Sequence, residues 1–273
     1  MTKKLLFWIL ALIITLAAAI YQRKTGPTYP KEINLSIQNK KYTYSLPRSH
    51  GGDSDCIIKI PNSDSTLKGK YRYRLYPSNR RWITLPLIKL QDTLVAQLPH
   101  QPPAGKLEYE ITLKKETLSY PSTQKPVIIR FKGHVPVAIL LPHILFMFCA
   151  MLLSNLAGLL TLFHQKGYKT IAWATFFALL FGGMILGPVV QKYAFGELWT
   201  GIPFGWDLTD NKTLIAFIFW IIALSTNRKK KHPKMILIAS IVTIIIFSIP
   251  HSMFGSQLDP NSGKIIQGTI IGL

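Results

Sequence analysis

Apolar and polar residues are distributed along this chain in two different ways. In four places the apolar residues form blocks of helix length: Leu5–Tyr21, Pro136–Phe163, Thr170–Val190 and Met235–Ile249. A fifth block, Thr213–Leu224, is shorter than the ~20 residues that cross a hydrocarbon core, so Asp207–Lys212 must supply its first turns. We expect Thr209 or Asp210 to cap this helix, which should run to Ser225. The pattern predicts an α-helical bundle with about five transmembrane helices.

The segment from Gln22 to His134 has a period of two instead. Its short apolar runs alternate with polar residues, as in half-buried strands, and turn-forming Gly, Pro and Asn residues separate them. The clearest runs are Ile33–Ile37, Lys70–Leu75, Leu107–Leu113 and Val127–Phe131, with turns at Gly51-Gly52, Pro61-Asn62, Pro77–Asn79 and Pro102–Gly105. Seven or eight strands at this spacing predict an antiparallel β-sandwich. The fold class is therefore a multi-domain membrane protein with a β-sandwich outer domain and a helical bundle.

Two stretches carry a resemblance to known families. The run Pro-Ala-Gly-Lys-Leu-Glu-Tyr-Glu-Ile-Thr-Leu at residues 103–113 resembles the penultimate hairpin of fibronectin type III and immunoglobulin-like modules. Together with Phe-Gly-Trp-Asp-Leu-Thr-Asp-Asn-Lys at residues 204–212, the outer domain resembles a bacterial integral membrane protein family to which no established activity is attached. The resemblance implies a fold and a membrane location, not a reaction.

The basic residues set the predicted orientation. Positive charge gathers at Lys3-Lys4, in the loop His164–Lys169 and in Asn227–Lys234, which the positive-inside rule places in the cytoplasm. The β domain, the Gln191–Lys212 loop and the tail after Pro250 then face the periplasm or exterior of a bacterial cytoplasmic (inner) membrane. Long domains translocate largely regardless of their charge, so a basic outer domain is compatible with this orientation.

Charge also limits the partners. The chain has a net charge of +20, and residues 22–134 contain 20 Lys and Arg against 8 Asp and Glu. Such a surface is either solvated or attracted to anionic headgroups or to a polyanion next to the membrane. The outward location excludes nucleic acid, so we expect membrane lipids and another envelope membrane protein as partners.

These observations divide the chain into four parts. Residues 1–21 form a transmembrane signal anchor, with a signal peptide cleaved near Ala17–Ala19 as the alternative. Residues 22–134 form the outer β-sandwich, residues 135–253 a four-helix transmembrane unit with the outer loop 191–212, and residues 254–273 an outer tail. For the tail, an added strand, packing on the bundle and contact with the interface all stay open.

The candidate site is at the outer ends of the helices. Trp206, Asp207, Asp210, Asn211 and Lys212 are candidate ligand-binding residues, because a polar and aromatic insert between apolar helices is expensive to maintain. His143, His251 and Ser252 belong to helix ends on the same side, so they should lie near this insert. The alternatives are purely structural roles: helix caps, an interfacial aromatic belt, and a histidine that hydrogen bonds to a neighbouring carbonyl.

Three functions compete for these residues. In the first, His143, His251 and Asp207 hold a metal or a non-covalent haem; the absence of Cys-x-x-Cys-His excludes covalent c-type haem. In the second, an Asp–His pair serves a hydrolase or transferase acting on a lipid or envelope substrate. In the third, the chain is a binding or assembly protein and the insert is a structural plug. Binding or assembly with an outer ligand pocket is the leading hypothesis, and the membrane enzyme is the alternative.

Overall fold

The structure is a computed structural model, and it describes residues 3–62, 64–228, 231–251 and 255–266. The chain divides into two compact units. A helical unit comprises Met1–Gly26, Val135–Tyr193 and Glu197–Gly255, and a β unit comprises Pro27–His134, Ala194–Gly196 and Ser256–Leu273.

The predicted apolar blocks are helices. They are α1 (Lys3–Thr25), α2 (Val137–Leu162), α3 (Tyr168–Phe195), α4 (Leu208–Thr226) and α5 (Pro233–Ser248). Within the described residues, α1 to α4 are long and apolar enough to cross a membrane, whereas α5 has 16 residues and is shorter. The upstream extension predicted for α4 is confirmed, because this helix begins at Leu208 rather than at Thr213.

Helix α3 contains a π-helical segment, Leu180–Leu186. Pro188 is the second residue after this segment, and it has no N–H to continue the α-helical hydrogen bonds. The N–H of Gly187, the residue between them, donates to the Gly182 carbonyl. A Cβ on Gly182 would lie 2.7 Å from the Phe146 Cβ of α2. Glycine at position 182 therefore allows α3 to approach α2 closely, and the irregularity of this helix is a π segment.

Small and polar residues join the helices inside the helical unit. The fully buried Trp220 donates its indole N–H to the Thr243 hydroxyl at 2.9 Å. Asn155 donates to Thr15 at 2.9 Å, which links α2 to α1. Ser240 donates to the Ser154 carbonyl at 2.8 Å, which links α5 to α2. Such interhelical bonds hold helices together where apolar burial alone does not distinguish a neighbour from lipid.

Among the described residues before residue 133, the β unit contains eleven strands. They are β1 (Lys31–Ile37), β2 (Lys40–Leu46), β3 (Ser49–Gly51), β4 (Cys56–Pro61), β5 (Lys68–Leu75), β6 (Ile83–Pro86), β7 (Ile88–Leu90), β8 (Thr93–Leu98), β9 (Lys106–Lys115), β10 (Leu118–Pro121) and β11 (Val127–Lys132). The expected seven or eight strands were too few, because β3, β6, β7 and β10 have three or four residues and β6 and β7 are exposed at every position. Strands this short and exposed leave no alternation to detect.

The strands form three sheets around one core. The largest sheet has the order β3-β11-β9-β5-β6, with β10 also on β9; β4-β8-β7 and the β1–β2 hairpin are the other two. Every pair is antiparallel except β3 with β11, which is parallel. A single buried cluster contains residues of all three sheets, for example Tyr44, Ile58 and Tyr109. Burial with a period of two is present in β2 and β4, whereas β9 and β11, two of the strands for which alternation was predicted, have consecutive buried residues.

The described part of the tail belongs to the β unit. Gln257–Leu258 (β12) pairs with Ile265–Ile266 (β13), and the Leu258 N–H donates to the Ala104 carbonyl at 3.0 Å. Of the alternatives that the sequence left open, the described residues show added strands.

Candidate functional site

The polar residues at the start of α4 form a network with the loop before it. Asp210 is 6% exposed, and its Oδ2 accepts hydrogen bonds from the Thr200 backbone N–H at 2.6 Å, from Gln191 Nε2 at 3.0 Å and from the Thr200 hydroxyl at 3.2 Å. Gln191 also donates to the Thr200 hydroxyl at 2.8 Å. One carboxylate oxygen of α4 thus binds both the end of α3 and the backbone of the connecting loop.

Asn211 and Asp207 hold the same loop at two more points. The Asn211 side-chain carbonyl accepts the Ile202 N–H at 2.7 Å. Asp207 caps α4, because its carboxylate accepts the Thr209 N–H at 2.8 Å. The predicted caps, Thr209 and Asp210, are therefore wrong: Asp207 has the extended backbone of an N-cap, and Asp210 lies inside the first turn.

Lys212 is bonded to the residue that follows α5. Its ammonium group is buried and donates to the Ile249 carbonyl at 2.7 Å, and Gln22 donates to the same carbonyl at 3.1 Å. The last residues of α1 and the residue after α5 are therefore tied to the second turn of α4.

The tip of the loop is apolar and exposed. Phe204 is 82% exposed, Trp206 is 68% exposed and Ile202 is 46% exposed. The loop turns at Gly201, whose carbonyl accepts the N–H groups of Phe204 and Gly205 at 2.9 Å. A Cβ on Gly201 would lie 2.7 Å from the Asp210 Cβ, so this close approach requires glycine.

The remaining candidates are placed differently. His143 Nδ1 hydrogen bonds to the Gly182 carbonyl at 2.9 Å. This is the structural alternative that the sequence analysis gave for this residue, a histidine bonded to a neighbouring carbonyl. His143 also lies next to Gly187: its ring carbon Cε1 is 3.9 Å from the point that a Cβ on Gly187 would occupy. His251 is exposed and follows α5. Ser252 lies outside the described residues.

The described residues do not assemble the expected metal ligands. Among them, no group of three or more His, Cys, Asp or Glu side chains is placed to hold a metal ion. Cys56 and Cys149 are free, and burial raises the pKa of the Cys56 thiol to about 11, which makes this thiol a poor ligand and nucleophile at neutral pH.

Sequence reasoning missed two parts of the network, Gln191 and Thr200. Gln191 is 9% exposed and directly follows the apolar run that ends at Val190, so a buried polar residue at this helix end was the available signal. Nothing in the sequence indicates that the Thr200 N–H, rather than a ligand, is the partner of Asp210.

The β unit contains a second buried polar cluster that the sequence did not reveal. Lys106 and Arg130 are each 2% exposed and lie opposite each other on β9 and β11. Lys106 donates to the Gln257 side chain at 2.7 Å, and Arg130 donates to the Ser256 carbonyl. Burial, followed by the charge of Arg130, lowers the pKa of Lys106 to about 7. Two basic residues at directly paired positions are unfavourable. Gln257 of the tail strand and Ser256 just before it supply acceptors to both.

Comparisons with protein-family models, curated proteins and solved structures found no match to this chain. The geometry alone therefore has to indicate what the site does. Its carboxylate and amide groups are engaged in holding the loop, and its exposed surface is aromatic and aliphatic. This arrangement is suited to presenting an apolar tip in one conformation.

Proposed function

We propose that the chain is an integral membrane binding or assembly protein and that Trp199–Lys212, the loop segment, is its binding element. One observation carries this proposal. Asp210 and Asn211 fix the backbone of Thr200 and Ile202 through buried hydrogen bonds, while the tip beyond them, with Phe204, stays exposed.

The conformation of the loop segment supports binding through its tip. A loop that is already fixed loses little conformational entropy when it binds, so more of the contact energy appears as affinity. Aromatic side chains are also the residues that most often dominate interface energies. The ligand that fits Phe204 and Trp206 is an apolar surface of another envelope membrane protein, in a membrane whose lipids surround the helices.

The arrangement of the helix ends supports a membrane topology. Gln22 and Lys212 share the Ile249 carbonyl at one end of the helical unit. Lys169 donates to the Asn227 carbonyl at 2.8 Å, so two of the predicted cytoplasmic loops adjoin. We propose that the helical unit crosses a bacterial inner membrane with these basic loops inside, and that the β unit is an immunoglobulin-like sandwich facing outward.

The same geometry gives no specific support to the two other hypotheses. A metal or haem site would need carboxylate or imidazole groups directed at the ligand, whereas Asp210 faces the loop backbone and His143 faces the Gly182 carbonyl. A hydrolase with an Asp–His pair would need a carboxylate that can accept a proton from the attacking group. Asp207, the other aspartate proposed for such a pair, accepts the Thr209 N–H as a helix cap.

Photo-crosslinking in native membranes tests the proposal. A photoreactive phenylalanine analogue replaces Phe204, and the control carries it at Ile245, which is 59% exposed on α5. We expect a discrete protein adduct at position 204 and lipid adducts alone at position 245. Asp210→Ala should abolish the protein adduct, and Glu197→Ala, an exposed acid of the same loop, should leave it. Lipid adducts alone at both positions would show that the tip is an interfacial anchor.

A further inference from the structure

Two short strands at the rim of the β unit have a free backbone edge. Among the described residues, β6 pairs only with β5, and β7 pairs only with β8. All seven residues of these strands are exposed. A strand paired on one side presents a row of N–H and C=O groups to any extended chain that approaches it.

This edge is also apolar. Ile83, Leu85, Ile88 and Leu90 are 50%, 39%, 55% and 58% exposed, and between them only Leu87 is buried. A single exposed aliphatic residue needs no explanation. Ile83 and Leu85 lie on the edge strand of the sheet that contains β5, and Ile88 and Leu90 lie on the edge strand of the sheet that contains β8. Exposed aliphatic residues on edge strands favour pairing with another chain, which natural sheets limit with charged residues, proline or bulges.

Basic residues flank the edge. Arg80 and Arg81 precede β6, and Lys89 lies within β7; all three are exposed. Asp92 is the acidic residue nearest to them in the sequence, and Glu110 beside β5 is already paired with Arg72 at 2.7 Å. The surroundings of the edge therefore carry an excess of positive charge.

A pocket of about 410 Å³ opens next to β6. It is bordered by Lys70, Arg72 and Thr84 on the side of the edge and by Glu110, Thr112 and Ser119 on the other side. Thr84 is paired with Arg72, and Pro86 with Lys70. Side chains of a strand added to β6 would alternate between the two faces of the sheet, so every second one would point towards this pocket and the Lys70 ammonium group.

We infer that the β6–β7 edge binds an extended acidic segment of another protein, which adds to β6 as an antiparallel or parallel strand. The backbone groups of β6 that do not face β5 provide the main-chain hydrogen bonds; Pro86 has no N–H to donate, and the Leu87 N–H is bonded to the Gly69 carbonyl. The exposed aliphatic residues and the pocket select alternate side chains. The basic flank selects acidic residues. A second copy of this chain fits poorly, because its own edge is equally basic and its net charge is +20. This inference concerns the β unit and does not rest on the function proposed for the loop segment.

Peptide binding to the whole protein in nanodiscs of neutral lipid tests the inference. The probe is a labelled peptide that alternates Glu with Val. One control peptide is the same sequence with two prolines inserted, and the other has Lys in place of every Glu. We expect the Glu–Val peptide to bind at least tenfold more tightly than either control. Hydrogen exchange should show protection of Thr84 and its neighbours when the peptide binds.

Variants of the protein complete the test. Leu85→Glu and Arg81→Glu change exposed positions, and each should weaken binding of the Glu–Val peptide at least tenfold. Lys41→Glu and Lys125→Glu change the net charge by the same amount as Arg81→Glu, at exposed positions elsewhere, and should leave binding unchanged. Equal losses in all four variants, no binding of the peptide, or binding of anionic vesicles in its place would each overturn the inference. Dimerisation of the protein that Leu85→Glu abolishes would also overturn it.

Discussion

Replacing Asp210 with alanine should release the loop segment without unfolding the bundle. The buried Asp210 Oδ2 accepts three hydrogen bonds, of which the one from the Thr200 N–H is 2.6 Å long. Hydrogen bonds to charged groups contribute ~1.5–3 kcal/mol each, and a buried donor left without its acceptor costs ~1–3 kcal/mol. Burying the charged carboxylate also costs free energy in the wild type. The alanine variant does not have this cost, which offsets part of the loss. We expect a net local destabilisation of about 3 kcal/mol.

Hydrogen exchange measured on the protein in detergent or nanodiscs reports this change locally. A loss of 3 kcal/mol corresponds to roughly a hundredfold faster exchange at Thr200, since each 1.4 kcal/mol is about tenfold. Asp210→Asn keeps one oxygen and the side-chain size, so it should give a smaller increase. Glu197→Ala removes an exposed carboxylate of the same loop and should change nothing. Unchanged exchange at Thr200 in Asp210→Ala would refute the role given to this carboxylate.

Three further predictions follow from buried groups and from the topology. The pKa of Lys106 in the folded protein, about 7, lies below its ordinary value of 10.5, so the unfolding free energy should rise as the pH rises from about 7 to about 10. Lys106→Met should remove this rise in thermal unfolding of the whole protein, and a persistent rise would contradict it. Gly158→Val should lower the melting temperature, because a Cβ there would lie 2.8 Å from the Ser240 Cβ and overpacking costs ~1–3 kcal/mol. Gly51→Ala, with nothing within 4 Å, is the tolerated control. An alkaline phosphatase fused after Lys231 should be inactive, and activity there would reverse the proposed orientation.

Much of the architecture could be predicted because it follows from periodicity. The helix blocks, the strands around Leu35, Tyr73 and Ile129, and the upstream extension of α4 all depend on apolar spacing and on lengths fixed by backbone geometry. The short strands β6 and β7 could not be predicted in this way. They are exposed at every position, so no alternation marks them, and only pairing with distant segments makes them strands.

The internal connections of the candidate site could not be predicted from the sequence. The sequence indicated that the polar residues of Asp207–Lys212, next to apolar helices, have to be compensated by some partner. Which partner compensates them depends on tertiary contacts. Asp210 is satisfied by Thr200 and Gln191, and a choice between such internal donors and an external ligand cannot be read from the spacing of side chains along the chain.

The size of the native complex tests the central claim most directly. The wild-type protein and a Phe204→Ser, Trp206→Ser double variant are extracted from the native membrane in mild detergent and compared by native electrophoresis. Both substitutions are at exposed positions, so the variant should be as abundant and as thermally stable as the wild type. We predict that the wild type migrates in a larger complex and that the double variant migrates as the free chain. Equal migration of the two proteins would contradict the claim that the loop segment binds a partner.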